Sequence, residues 1–272
     1  MKRALLIVLV IVAVIAPALL VAIVLRHEEQ REQQWHAHEI LNEAKVAVSH
    51  LKSLEGDAFF SQSVEQDGHK ERSNTRFHIK MLTNRETDES VLRIDFKDYE
   101  YESDAERDAH ERMRVLLQNA SLFDYGSECY VFTPKISEEQ ITAFSTRNAL
   151  FRYKFIPLVE PLHIVSLFDL ASNASYRGIV NISVGNETVK AHEISYELSY
   201  PAITFAERAE LRTFISAENF LPLRTELSAI YKHNGENTRI KRCFGFLSYK
   251  VNTNLGAKDF RIAEGLRVIT RD

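Results

Sequence analysis

Few residue patterns in this chain of 272 residues could support catalysis. The sequence lacks G-x-S-x-G, the Walker A pattern, G-x-G-x-x-G, C-x-x-C and H-E-x-x-H, which position nucleophiles, phosphates, dinucleotides and metal ions. Without such an arrangement, no residue type stands at a spacing that favours nucleophilic or metal-assisted chemistry. We therefore predict that the protein is not an enzyme, with no catalytic residues, no metal site and no cofactor.

The densest histidine pair, His36 and His38, also argues against a metal site. Side chains two positions apart on an α-helix point about 200° apart, so the two imidazoles do not converge on one ion. We predict a solvated helix surface instead. A run of carboxylates between 95 and 102 is interleaved with Lys97 and aromatic residues, which favours the charged exterior of a strand over an acid–base pair. Its members are Asp95, Asp98, Glu100 and Glu102.

The charge balance excludes a nucleic-acid partner. The chain has 34 basic and 38 acidic residues, so its formal net charge is -4. A protein that neutralises a phosphate backbone needs an excess of Lys and Arg.

An uncharged, apolar segment lies near the N-terminus, from Ala4 to Leu25. As a helix rising about 1.5 Å per residue it would reach about 33 Å, enough to span a bilayer. Lys2 and Arg3 precede it, which predicts a cytoplasmic N-terminus. The alternative is a cleaved signal peptide, because Ala16-Pro17-Ala18 is typical of a cleavage site, but the apolar run continues beyond it. We favour an uncleaved, single-pass anchor.

Helical periodicity follows the anchor. A polar stretch after His27 predicts a stalk, and apolar residues then recur at helical intervals in Glu39 to Leu54, with Gly56 as a plausible end. Ser103 to Ala120 begins with capping-box spacing and predicts a second helix. Pro161 to Ala171 is apolar on most faces and predicts a third.

Residues that alternate between apolar and polar predict strands in the rest of the chain. Gly185-Asn186 and Asn234-Gly235 each separate two alternating runs, which is typical of β-hairpins. The predicted class is α+β, with a long antiparallel meander and two or three helices. The predicted strands include Phe77 to Met81, Leu92 to Phe96, Glu128 to Phe132, Gly178 to Val184, Thr188 to Tyr200, Glu210 to Ser216, Leu223 to Lys232 and Arg239 to Asn252.

The order of these elements resembles the outer-membrane lipoprotein carriers, the LolA-like proteins, over roughly residues 36 to 262. Five segments carry the resemblance: the helix leading to Ala58-Phe59-Phe60, the aromatic run Glu128 to Pro134, Tyr196-Glu197-Leu198, Phe220 to Arg224, and Asn252 to Phe260. The resemblance implies an incomplete antiparallel β-barrel wrapped over helices. Where the carriers have an Arg-Pro pair, this chain has Met81-Leu82. The resemblance therefore does not imply the arginine-controlled opening of the carriers.

Such a half-barrel leaves a concave apolar surface that an acyl chain can fill. We therefore predict that the protein binds a lipid or lipoprotein acyl chain. Its expected role is in lipid or lipoprotein trafficking within the cell envelope. The alternative is an envelope protein-interaction module whose barrel is filled by its own side chains. The candidate lipid-binding residues are Phe77, Ile79, Leu92, Ile94, Phe96, Tyr130, Phe132, Tyr196 and Leu198.

The resemblance and the anchor together imply a bacterial inner-membrane protein with a periplasmic domain. We divide the chain into a transmembrane anchor (1–26), a stalk with the amphipathic helix (27–55) and a LolA-like half-barrel domain (56–272). In the oxidising periplasm, Cys129 and Cys243 could form a disulfide if their Cα atoms lie about 4.4 to 6.8 Å apart. Two buried free thiols are the alternative.

Overall fold

A computed structural model describes residues 2–66, 68–84, 89–103, 117–125, 128–134, 136–145, 171–198, 206–233 and 236–271, with the side chains of the N-terminal helix described from Leu25 onward. Two predicted helices, Ser103 to Ala120 and Pro161 to Ala171, fall almost entirely outside these residues. The predicted membrane span, Ala4 to Leu25, lies outside the described side chains except for its last residue. Among the residues whose side chains the structure describes, no helix has the length and hydropathy needed to cross a membrane.

The N-terminal helix, α1, runs from Lys2 to Ser49. Its C-terminal part buries one face, which consists of Ala37, Ile40, Leu41, Ala44 and Val48. These positions recur at intervals of three and four residues, as expected for one side of a helix. The prediction that this segment forms an amphipathic helix is therefore confirmed.

The predicted end of this helix, between Leu54 and Gly56, is wrong. The helix ends at Ser49, and the first strand begins at Ser53. Gly56 lies inside that strand, where a Cβ atom would come within 2.2 Å of the Ser248 carbonyl oxygen. The glycine thus permits close approach of two strands, which local sequence does not reveal.

Twelve strands follow the helix. They are β1 (Ser53–Gln66), β2 (His69–Asn84), β3 (Glu89–Ser103), β4 (Ser121–Asp124), β5 (Glu128–Phe132), β6 (Gln140–Ser145), β7 (Ala171–Val184), β8 (Glu187–Leu198), β9 (Ala206–Ser216), β10 (Pro222–His233), β11 (Glu236–Val251) and β12 (Arg267–Arg271). A short 3-10 helix, Ala257–Phe260, precedes the last strand. All eight strands predicted above are confirmed, whereas alternation did not predict β1, β4, β6 or β12.

All twelve strands belong to one sheet, in the order β12-β6-β5-β4-β3-β2-β1-β11-β10-β9-β8-β7. Every neighbouring pair is antiparallel except β12 and β6, which are parallel. The sheet curls back on itself: Gly185, in the β7–β8 turn, lies close to the backbone carbonyl of Leu247 in β11, four strands away in the sheet order. The architecture is a large curled sheet with a helix against it, consistent with the predicted incomplete barrel.

Both predicted hairpins are confirmed by strand pairing. Val184 pairs with Glu187 around the first turn, where Gly185 has a φ of 60°. Glycine adopts this left-handed conformation without a Cβ penalty. His233 pairs with Glu236 around the second; its two turn residues lie outside the described part of the chain.

One face of the sheet forms the hydrophobic core. In β1, Leu54, Gly56, Ala58 and Phe60 are buried, while the residues that alternate with them, Glu55, Asp57 and Phe59, are only half-buried. Alternation follows from the pleat, which sends successive side chains to opposite faces. We call the face that carries Phe60 the inner face and the opposite one the outer face. The inner face and the buried side of α1 make up one continuous core.

Candidate functional site

Six of the nine predicted lipid-binding residues meet in the core on the inner face. Phe77, Ile79, Leu92, Ile94, Phe96 and Tyr196 are all buried. The five residues of β2 and β3 come together because these strands pair in register, with Phe77 opposite Phe96 and Ile79 opposite Ile94. Tyr196 joins the same core from β8. The sequence therefore identified a set of side chains that share one environment.

The other three predicted residues lie at less enclosed positions. Tyr130 and Phe132, in β5, are half-buried. The Tyr130 ring packs against Tyr125, with ring centroids 5.8 Å apart. The side chain of Leu198 lies outside the described part of the chain.

On the inner face, α1 packs into the hydrophobic core. Ile40, Leu41 and Val48 belong to the same hydrophobic core as the strand residues, and each is at most 8% exposed. Aromatic rings fill the space farther along: Phe77 stacks on Phe244 at 6.4 Å, and Phe244 meets Phe246 at 5.2 Å. The surface predicted to hold an acyl chain is thus occupied by the protein's own side chains.

The buried hydroxyl of Tyr196 has a partner inside this core. Tyr196 and Thr213 form a hydrogen bond of 3.0 Å between their hydroxyl groups. Burial raises the pKa of the Tyr196 phenol well above its usual range, because ionisation there would leave a charge without water. Tyr196 therefore stays neutral and serves packing.

A cleft of about 980 Å³ lies elsewhere, across β3, β2, β1, β11, β10 and β9. None of the nine predicted residues lines it. Most of its lining residues belong to two adjacent rows, each formed by one residue from each of the six strands. Row 1 contains Glu100, Asn74, Ser61, Cys243, Glu226 and Arg212, and row 2 contains Glu102, Arg72, Ser63, Lys241, Ser228 and Glu210.

Both rows lie on the outer face of the sheet. Ser61 and Ser63 alternate with the inner-face residues Phe60 and Gln62 in β1, and residues paired across strands share a face. Every lining residue of the two rows is at least partly exposed. We call this site the outer cleft; it is polar, open and on the opposite side of the sheet from α1.

The β9–β10 end of the outer cleft is built by ion pairs. Arg212 binds both Glu193 and Glu226, the latter at 3.3 Å, and Arg224 also binds Glu226 at 2.6 Å. The guanidinium groups of Arg212 and Arg224 lie over the Phe214 ring, at 5.5 and 5.8 Å. The hydrogen bond to Glu193 raises the pKa of Arg212 despite its partial burial. Ion pairs and contacts with the Phe214 ring therefore position both arginines at this end.

The sequence pattern predicted only some of the residues that line the outer cleft. It placed Glu100 and Glu102 on a charged strand exterior, and both line the cleft. Asp95, from the same run, instead pairs with Arg93 at 2.9 Å and accepts from the Ser121 hydroxyl. The sequence does not reveal the register of the strands. Only that register shows that polar residues from six strands are aligned in two rows.

The histidines of the predicted helix surface do not converge. His36 packs against the Tyr176 ring with centroids 6.1 Å apart, whereas His38 is exposed. Across the described residues, no group of three His, Cys, Asp or Glu side chains could hold a metal ion.

The two cysteines are free and lie on strands that are not neighbours, β5 and β11. We expect both thiols to react with a thiol-specific reagent when the protein is denatured without reductant. In the native protein reaction should be slow, because Cys129 is buried and burial raises the pKa of Cys243, which lowers its thiolate fraction. Mass spectrometry of the labelled chain counts the modified thiols. Labelling of both thiols only after reduction would instead indicate a disulfide between Cys129 and Cys243.

Comparisons with known proteins identify no relative by sequence: no family model and no curated protein matches the chain. Among solved structures, a DUF1329 family protein from Desulfovibrio piger aligns over 84% of this chain and 97% of its own, with 11% identity and a TM-score of 0.40. The Pseudomonas aeruginosa MucA/MucB complex aligns over 87% and 64%, with 11% identity and a TM-score of 0.39. The family resemblance seen in the sequence therefore stays a prediction, and the assignments below depend on the geometry of this chain.

Proposed function

We propose that this protein is a non-enzymatic binding module of the bacterial cell envelope, anchored in the inner membrane by its N-terminal helix with the sheet in the periplasm. Its barrel is filled, and its partner is another protein, bound on the outer face. One observation carries this proposal: α1 packs into the same core as the predicted acyl-chain positions. With the inner face filled, the outer cleft of about 980 Å³ is the space that we assign to a ligand.

Tethering gains support from the course of α1. The helix is continuous from Lys2 to Ser49, so the apolar segment and the packed segment belong to one rod. Because residues from Ala37 onward are fixed in the core, the rod would hold the sheet at a defined distance from the bilayer. The residues between Leu25 and Ala37 would span about 18 Å at about 1.5 Å per residue.

Binding of an acyl chain on the inner face is the second candidate. Among the described residues, α1 is the helix that packs into this core, with small or medium side chains, and its displacement would open the core beside the predicted positions. Releasing Ile40, Leu41 and Val48 would cost about 1.5 to 3 kcal/mol each, whereas an acyl chain contributes about 0.8 kcal/mol per buried methylene. A chain of roughly ten carbons would offset the loss of the helix, so the two occupants compete on nearly equal terms.

Native mass spectrometry of the full chain, extracted in a mild non-ionic detergent, distinguishes the two candidates. We expect the mass of the polypeptide alone after the detergent is removed, because α1 occupies the inner face. A retained lipid or acyl chain would overturn the filled-barrel proposal. The Ile94→Trp variant serves as the control, since a lipid lost from that variant lay on the inner face.

A further inference from the structure

The outer cleft has an uneven distribution of charge along row 2. Arg72 and Lys241 lie on either side of Ser63, and both are exposed. Neither forms an ion pair with any residue that the structure describes. Arg212, by contrast, is already neutralised by two glutamates. The middle of row 2 therefore carries two cations that are available to a ligand.

Hydrogen-bonding groups without net charge fill the middle of the cleft between these cations. Ser61 of row 1 and Ser63 and Ser228 of row 2 line the cleft on the same face as the two cations, and their hydroxyl groups can donate to a ligand. An anionic group above Ser63 would thus meet two cations and several donors, the combination that binds carboxylate or phosphate.

Carboxylates lie at both ends of the same row. Glu102 is in β3 and Glu210 is in β9, five strand spacings away along the sheet order. With neighbouring strands about 4.8 Å apart, the two ends are about 24 Å apart. Nucleic acid or an anionic bilayer would meet repulsion at both ends, because each presents negative charge over its whole length. The cleft favours a ligand whose charge changes sign along its length.

We propose that the outer cleft binds an extended polypeptide segment that crosses the strands, with a carboxylate at its centre and basic side chains toward its ends. This inference depends on the proposed role of the outer face in binding a protein. An extended chain advances about 3.3 Å per residue, so about seven residues span the cleft. The central carboxylate lies between Arg72 and Lys241, and the terminal cations lie near Glu102 and Glu210.

A charge-reversal experiment tests the proposal with defined peptides. The probe is a seven-residue peptide with a central glutamate and a lysine at each end, labelled with a neutral fluorophore; its counterpart has every charge reversed. Fluorescence anisotropy with the full chain in detergent micelles measures both. We expect Lys241→Glu to weaken binding of the first peptide by about tenfold, because the charge reversal replaces an attraction to its central glutamate by a repulsion. The same variant should bind the second peptide more tightly, because its central charge is positive.

Lys250→Glu is the matched control. Lys250 is exposed in the same strand, opposite Glu55 and outside the cleft, so both peptides should bind this variant as they bind the wild type. Equal effects of the two substitutions, or no binding of the first peptide to the wild type, would overturn the peptide proposal. Binding of phosphatidylglycerol vesicles that Lys241→Glu abolishes, without peptide binding, would overturn it in favour of a lipid headgroup. None of these outcomes depends on the inner face.

Discussion

Replacing Ile94 by alanine is expected to lower the free energy of unfolding by about 2 to 5 kcal/mol, and replacing it by tryptophan by about 1 to 3 kcal/mol. Ile94 is 2% exposed and lies between Ile79 in β2 and Leu122 in β4, which are also buried. Alanine would leave a void among these side chains. Tryptophan would overpack them, because the neighbouring strands fix the available space.

Chemical denaturation of both variants, together with binding of a fluorescent fatty acid, distinguishes a filled core from an open cavity. A filled core is destabilised by both substitutions, and the wild type binds no probe. An open acyl-chain site would tolerate tryptophan, which would then abolish probe binding, and that result would favour the second candidate function. Val91→Ala is the control, since the half-buried Val91 lies on the outer face of the same strand.

Replacing Leu41 by aspartate should detach α1 from the sheet, with an expected loss of about 3 to 5 kcal/mol. Leu41 is 2% exposed and lies in the buried face of the helix. The substitution removes a large apolar side chain and would bury a carboxylate among hydrocarbon. Because no cation lies in that buried face, displacement of the helix costs less than burial of the charge.

Val46→Asp provides the control for this prediction. Val46 lies in the same helix but is 50% exposed, so aspartate there should change stability by about 0.5 kcal/mol or less. Thermal unfolding and limited proteolysis of the α1–β1 junction measure the two effects. Similar results for both variants would contradict the packing of this helical face. Increased fatty-acid binding by Leu41→Asp alone would show that α1 and an acyl chain compete for the inner face.

Local pattern was sufficient for the elements whose periodicity is strong. The alternation in Phe77 to Met81 and in Leu92 to Phe96 predicted β2 and β3, and the turn residues around Gly185 predicted the β7–β8 hairpin. In each case the side chains that define the period are large and apolar on one face only. A pleated strand with one buried face requires that pattern whatever its partners are.

Other elements were missed because their local signal is weak. The strand β4 has only four residues, and β12 is a short edge strand whose sole partner, β6, lies far away in the chain. At the start of β1, glycine and alanine replace larger apolar residues at two inner-face positions. Small residues carry little hydrophobic signal, and the backbone approach that requires Gly56 involves Ser248, which is distant in sequence.

The sequence by itself determined the buried side chains of β2 and β3 and that an amphipathic helix precedes an antiparallel sheet, since hydrophobic periodicity is a local property of each segment. Only the tertiary structure decided what covers the buried face and where a polar cleft forms. Covering the inner face depends on the docking of α1, and the outer cleft depends on strand register, which brings Arg72, Ser63 and Lys241 into one row. Both are relations between segments far apart in the chain, and no single segment encodes them.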